Sequence, residues 1–376
     1  MAAVGLDPIC PFSRRERCFH VCRSACRLWL GCRLAAIFAE TAAPGWRAGR
    51  VFAQQRGVWF CVTEAGERRA QIPPVLRDAL APGIGDWLAL EPVGDHDVIR
   101  AILPRRSLLS RQGAGEATDQ QVLAANIDAL FLCMALDRDF NLRRLERILT
   151  VAWGSGAEPV VVLTKNDVLP PEQAAARLAE ATAAAPAVAI HPVCGLTGMG
   201  VAALASWLRP GRTVALIGAS GAGKSTLLNA LAGAEVSVTG ALDGGGKGRH
   251  TTTWRELHRL PGGALVLDSP GIRALRLWDG EAGLERAFAE IAALAELCRF
   301  RDCRHDGEPG CAVQAAITRG ELDTARLDSR RKLARELAFA ERRQSKALAA
   351  EEKSRWKRIH RDQRSRVAHR ARLQDD

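Results

Sequence analysis

The run Gly218-Ala219-Ser220-Gly221-Ala222-Gly223-Lys224-Ser225-Thr226 leaves little freedom in how the chain around it folds. It fits G-x-x-x-x-G-K-[ST], a loop whose glycines let backbone N–H groups converge on phosphates where a Cβ would block the approach. Such a loop needs a strand before it and a helix after it. Thr213-Val214-Ala215-Leu216-Ile217 is an apolar, β-branched run suited to a buried strand, and Thr226-Leu227-Leu228-Asn229-Ala230-Leu231 opens as a helix that Gly233 is placed to stop. The helix N-terminus adds partial positive charge. The expectation is a nucleoside triphosphate site in which Lys224 reaches the β- and γ-phosphates and Ser225 ligates Mg²⁺.

Upstream of this loop, strands and helices alternate. Asp128 to Leu136 reads as a buried strand, Leu142 to Val151 as a helix, and Pro159 to Leu163 as a parallel-type strand. A helix from Glu172 to Ala184 leads to a further strand, Val188 to Ile190. This alternation predicts a doubly wound parallel sheet with ligands beyond the carboxyl ends of its strands. The strand ending at Leu163 runs into Thr164-Lys165-Asn166-Asp167, which resembles the [NT]-K-x-D motif of GTPases. A carboxylate at Asp167 can accept from guanine N1–H and the exocyclic amine, which adenine cannot supply, while the stem of Lys165 can cover the flat face of the base. Val193-Cys194-Gly195-Leu196-Thr197-Gly198 stands where a second base-contacting loop belongs.

In ordinary GTPases the phosphate loop comes first and the base motif last. Here the base motif leads, and the switch segments Gly248-Arg249-His250-Thr251-Thr252-Thr253 and Leu267-Asp268-Ser269-Pro270-Gly271-Ile272 follow the phosphate loop. That order is a circular permutation, and it joins the second switch directly to whatever domain comes next.

The flanks carry different patterns. Between Trp46 and Leu103, short runs at 49–53, 58–62, 86–90 and 98–102 read as strands of a small barrel such as an OB-fold. Trp59 and Phe60 are adjacent, so one points in and one out, the outer ring either stacking on a base or covering barrel surface. Arg105, Arg106 and Arg111 follow as a basic linker. Toward the other end, Cys298, Cys303, His305 and Cys311 form C-x4-C-x-H-x5-C, a full tetrahedral set for structural zinc with no vacancy for a catalytic water. Gly307, Pro309 and Gly310 permit the tight return, and Arg299, Arg301 and Arg304 between the ligands should project outward. From Ser329 onward the chain reads as a helix with a heavy excess of Arg and Lys, matched to RNA phosphates. This tail and the linker account for much of a net charge of +11. Eleven cysteines without a clean signal peptide favour reduced thiols or metal ligands. Residues 1–45, with Cys10, Cys18, Cys22, Cys26 and Cys32 among many arginines, read as an unassigned or disordered extension. No apolar run approaches transmembrane length.

The TKND, GASGAGKST, GRHTTT and DSPG runs in permuted order, together with the Cys/His cluster, closely resemble the ribosome small-subunit-dependent GTPase A family of bacteria. The resemblance covers about Trp46 to the C-terminus. It implies a multidomain chain: an N-terminal β-barrel (OB-fold) over 46–105, a central α/β P-loop GTPase domain in circularly permuted order over 120–290, and a C-terminal α-helical zinc-binding domain with a basic helix over 291–376. It further implies a cytoplasmic GTPase acting in late maturation of the 30S subunit, stimulated by that subunit, contacting its 16S rRNA, monomeric and without a membrane partner. The alternative left open is a nucleotide-locked RNA-binding assembly factor with little turnover of its own.

The residue chemistry matches those roles. Asp268 would hold Mg²⁺ through water and the Gly271 N–H would sense the γ-phosphate. Thr252, among Thr251–Thr253, would complete the Mg²⁺ shell. Ile272 replaces the glutamine that often orients the attacking water, so intrinsic hydrolysis should be slow, with His250 the nearest candidate for placing that water. The glycine-rich stretch 243–248 should order only when nucleotide or ribosome binds.

Overall fold

The computed structural model describes residues 31–55, 57–77, 79–112, 120–235, 257–268, 280–342 and 346. Gly31–Thr41 forms helix α1, so the disorder expected of residues 1–45 does not hold there. Leu34, Ile37 and Phe38 recur at helical spacing, and with Ala35 they pack against Trp87 and Leu103. This apolar stripe is what makes the segment part of the fold.

Five strands follow: β1 (Arg47–Gln55), β2 (Val58–Thr63), β3 (Gly66–Gln71), β4 (Trp87–Val93) and β5 (His96–Ile102). They close a barrel in the order β1-β2-β3-β5-β4, antiparallel throughout except for the β3–β5 pair. β3 is absent from the sequence expectation because Gly66-Glu67-Arg68-Arg69-Ala70-Gln71 buries only Ala70. The interior is filled by Val51, Trp59, Cys61, Ala70, Leu88, Leu90 and Ile99. Trp59 is the inward ring, its Nε1 donating to the Pro82 carbonyl over 3.0 Å, and Phe60 is the outward one, 6.3 Å from Phe52.

β6 (Leu108–Gln112) and β7 (Gln120–Ala125) pair as a two-stranded sheet. The arginines just before them are not a free basic linker. Arg105 grips the buried Asp86 through two hydrogen bonds of 2.8 and 2.7 Å, and Arg106 lies 3.4 Å from Asp128.

The α/β layer comprises β8 (Ala129–Ala135), α2 (Leu142–Gly154), β9 (Glu158–Thr164), α3 (Pro171–Ala184), β10 (Ala189–Pro192), β11 (Thr213–Gly218), α4 (Lys224–Ala232), β12 (Leu257–Arg259) and β13 (Leu265–Asp268). Its strand order is β10-β9-β8-β11-β13-β12, parallel except for the edge strand β12. β8 and β11 are buried at every position, as strands covered on both faces must be. From β8 the chain first winds outward to β9 and β10, then returns to place β11 and β13 on the other side. The switch point therefore lies between β8 and β11, where such sheets open a crevice for ligands.

Barrel and sheet belong to one compact unit, and Arg50 of β1 ties them together. Its guanidinium is buried against the Trp87 ring at 5.4 Å and donates to Thr213 Oγ1 at the start of β11 over 2.7 Å. It also donates to the Asn126 and Gly85 carbonyls over 3.3 and 3.4 Å. Burial pulls its pKa down to about 10, which leaves it charged at neutral pH.

The second unit contains α5 (Glu281–Ala287), α6 (Ala289–Glu296), α7 (Ala312–Thr318) and a helix over 324–342. Leu284, Phe288, Ile291, Val313, Ala316, Leu327, Leu333 and Leu337 are buried. Arg326 is buried too, bonded to Glu290 over 2.7 Å and lying 4.2 Å over the Phe288 ring. Most of the basic run expected after Ser329 lies outside the described residues.

Candidate functional site

The phosphate-type loop leaves the buried end of β11. A Cβ at Gly218 would sit 2.4 Å from the Cys133 carbonyl oxygen, so this glycine is required by the neighbouring strand β8 before any phosphate is considered. Gly221 and Gly223 have φ of +81° and +77°, which reverse the chain and start α4 in a conformation that side chains resist. Lys224 is nearly buried, and its ammonium lies on the loop itself, donating to the Gly218 and Ala219 carbonyls over 3.1 and 2.8 Å.

The base-type motif meets this loop directly. Thr164, last residue of β9, donates its hydroxyl to the Ala222 carbonyl over 2.7 Å across 58 residues of sequence. Asn166 N–H donates to the Val193 carbonyl over 3.2 Å, joining the motif to the loop 193–198. A Cβ at Gly195 in that loop would lie 3.1 Å from the Leu227 amide nitrogen, so the loop abuts α4. Asp167 is exposed. Lys165 has φ of +57°, and its ammonium donates to Asp137 Oδ2 over 2.8 Å. Burial works against the charge on Asp137, yet hydrogen bonds from Lys165 and the Asp139 N–H outweigh it and hold the carboxyl below its usual range.

Ser225 and Asp268 come together from α4 and β13, with Ser225 Oγ 3.4 Å from Asp268 Oδ2. Asp268 Oδ1 is buried and has no hydrogen-bond partner among the described residues. An unpaired buried carboxylate oxygen beside a hydroxyl is the donor set a hard divalent cation takes, so these residues fit Mg²⁺. His250, Thr252 and Gly271, together with Ile272 and the stretch 243–248, lie outside the described residues.

In the second unit, the ligand atoms of Cys298, Cys303, His305 and Cys311 all lie within 4.8 Å of one another. The Cys298 and Cys311 sulfurs are 3.9 Å apart, and His305 Nδ1 is 3.6 and 3.5 Å from them. Tetrahedral zinc with ordinary bond lengths would put sulfurs about 3.8 Å apart and sulfur and nitrogen about 3.5 Å apart. The set fits zinc and is too wide for a disulfide. Cys311 also caps α7, its sulfur accepting from Gln314 N–H over 3.4 Å. Arg331, which the sequence places in the RNA-facing basic run, instead turns onto this loop. It donates to the Arg304 and His305 carbonyls over 3.2 and 2.9 Å and pairs with Asp306. Arg299, Arg301 and Arg304 are exposed.

Two site residues escape the sequence reading. Asp137 reads there as an unremarked turn residue after β8, and nothing local announces its bond to a lysine 28 positions on. Cys133 contributes only its carbonyl's proximity to Gly218, which no pattern of residue types encodes.

The model of the RsgA GTPase family matches residues 102–278, a span that includes both nucleotide motifs. The small ribosomal subunit biogenesis GTPase RsgA of Opitutus terrae is 51% identical over 304 residues, covering 77% of this chain and 81% of that protein. The protein of the same name from Streptomyces avermitilis is 46% identical over 327 residues, covering 86% and 88%. Among solved structures, YjeQ from Thermotoga maritima aligns with a TM-score of 0.60 at 26% identity, over 78% of this chain and 99% of that one. YloQ, described as a circularly permuted GTPase, shares the fold with a TM-score of 0.56 at 19% identity, over 78% and 96%. Identity and coverage of this size place the chain in the RsgA GTPase family, as a GTP hydrolase.

Proposed function

We propose that this chain binds GTP with Mg²⁺ beyond the β8–β11 switch point and hydrolyses it to GDP and phosphate in response to the small ribosomal subunit, assisting a late step of that subunit's maturation. The observation that carries the nucleotide half is the 2.7 Å bond from Thr164 to Ala222, which fastens the base motif to the phosphate loop despite their permuted order. In this reading Asp167 accepts from the guanine edge, Lys165 covers the ring, and the N–H groups of Gly218 to Thr226 surround the phosphates. Lys224 then exchanges two loop carbonyls for phosphate oxygens. Ser225 and Asp268 would hold Mg²⁺, with Thr252 completing its shell, and the bound ion would neutralise charge developing on the phosphates. Gly271 and His250 keep their proposed parts as γ-phosphate sensor and water-positioning group.

The ribosomal half is supported by the names of the relatives and by where charge without a carboxylate partner remains among the described residues. Arg105 and Arg106 already have carboxylate partners, so contact with 16S rRNA falls to the exposed Arg299, Arg301 and Arg304 and to the basic run after Ser329. The outward Phe60 beside Phe52 offers a stacking surface on the barrel. Cys298, Cys303, His305 and Cys311 would hold one structural Zn²⁺ that shapes the loop carrying those arginines. Among the described residues no helix is long and apolar enough to cross a membrane, and we assign the protein to the cytoplasm as a monomer. GTP hydrolysis measured with and without 30S subunits tests the proposal. Multiple turnover accelerated by the subunit is expected, and a rate indifferent to 30S would refute it.

A further inference from the structure

Asp137 stands just beyond the carboxyl end of β8, and Lys165 just beyond that of β9. The two strand ends are locked in register, with Ala135 opposite Thr164 and the Leu136 N–H bonded to the Thr164 carbonyl over 3.0 Å. One oxygen of Asp137 accepts from the Asp139 N–H over 2.9 Å, which fixes the carboxylate on its own turn. The other accepts from Lys165 Nζ over 2.8 Å. The backbone of Lys165, at φ of +57°, is itself held by the Val168 N–H on its carbonyl over 3.1 Å and by the Asn166 N–H on the Val193 carbonyl over 3.2 Å, so the stem leaves from a fixed point. The pair is only partly exposed, at 35% and 22% of the side-chain surfaces, so water screens it incompletely. A lysine stem free to swing would cover the base only part of the time and would lose more side-chain freedom on binding.

We propose that Asp137 is a positioning residue for guanine nucleotide binding, acting by anchoring the Lys165 ammonium so that its stem is preset over the face of the base. This rests on the reading of Thr164–Asp167 as the base site. The contact is to the ring face, so it strengthens binding of any purine that Asp167 admits and does not choose among exocyclic groups.

The test is GDP titration calorimetry on the full-length protein carrying Asp137→Asn, Lys165→Met, or both. Asparagine keeps an acceptor for the Asp139 N–H and removes the charge. Asp137→Asn should weaken GDP about three- to tenfold, the scale of one charge-assisted hydrogen bond. In the Lys165→Met background it should have an effect of less than about twofold, because partners acting as one unit are not additive. Equal losses in the two backgrounds would overturn the proposal. Should Asp137→Asn not fold, Lys165→Arg against Lys165→Met reads the same contact: arginine should retain affinity within about threefold, and equal losses would overturn it. Asp167→Asn, assayed with GDP and XDP, separates the underlying reading. A switch toward XDP upholds the base site whatever Asp137 does, and no change in base preference removes both.

Discussion

Thr164→Val removes the hydrogen bond that fastens the base-type motif to the phosphate-type loop. Thr164 is 3% exposed and its hydroxyl donates to the Ala222 carbonyl over 2.7 Å. Valine has nearly the same shape, so no cavity opens and the change is confined to one lost donor. A buried carbonyl deprived of its partner costs about 1–3 kcal/mol. Both ends of the bond lie in the proposed nucleotide site, so part of that cost should surface on binding, as a loop that must be reordered around the phosphates. If all of it did, GDP affinity would fall about fivefold at 1 kcal/mol and by more than about a hundredfold at 3 kcal/mol. Calorimetric GDP titration together with thermal unfolding of the nucleotide-free protein would divide the loss between affinity and fold. Thr164→Ser keeps the donor and should bind within about threefold of wild type. Unchanged affinity and melting temperature in the valine variant, or a serine variant as defective as valine, would refute the reasoning.

Gly218→Ala should lower the melting temperature even without nucleotide. Its Cβ would meet backbone at 2.4 Å, so β8 and β11 must part, at about 1–3 kcal/mol; an unaltered nucleotide-free melt would contradict this. Removal of zinc by a chelator, or Cys311→Ser, should raise amide exchange over residues 290–320, and retained protection would exclude a structural metal. Asp137 gives a pH prediction. Its folded pKa is depressed, so its contribution is present above the unfolded value of about 3.9 and is lost as pH falls through the lower folded value. An NMR titration of that carboxyl should show a midpoint below about 3.9, and one at or above it would contradict the ion pair.

Features encoded within a few residues were legible from the chain. The phosphate loop was visible because its glycines, the apolar strand before it and the helix opening after it are all local requirements. β8, β9 and β11 showed as apolar runs because parallel strands are buried on both faces. β3 did not, because its four charged or amide side chains leave only Ala70 to face the barrel interior. α1 was hidden by its setting in an arginine- and cysteine-rich stretch, although its apolar stripe was there to be read.

The order of motifs along the chain determined on its own that the nucleotide domain is permuted, and the Cys/His spacing picked out four side chains whose ligand atoms converge. Tertiary structure decided which arginines are held by distant groups: Arg105, Arg106 and Arg331 look alike in sequence to Arg299 and Arg301, yet the first three are engaged by groups 19 to 27 residues away. It also decided that Thr164 holds Ala222 and that Asp137 holds Lys165. Periodicity and turn chemistry act over one or two turns of chain, so they are present in the sequence itself. A hydrogen bond between distant residues depends on strand order and register, and those exist only after the sheet has closed.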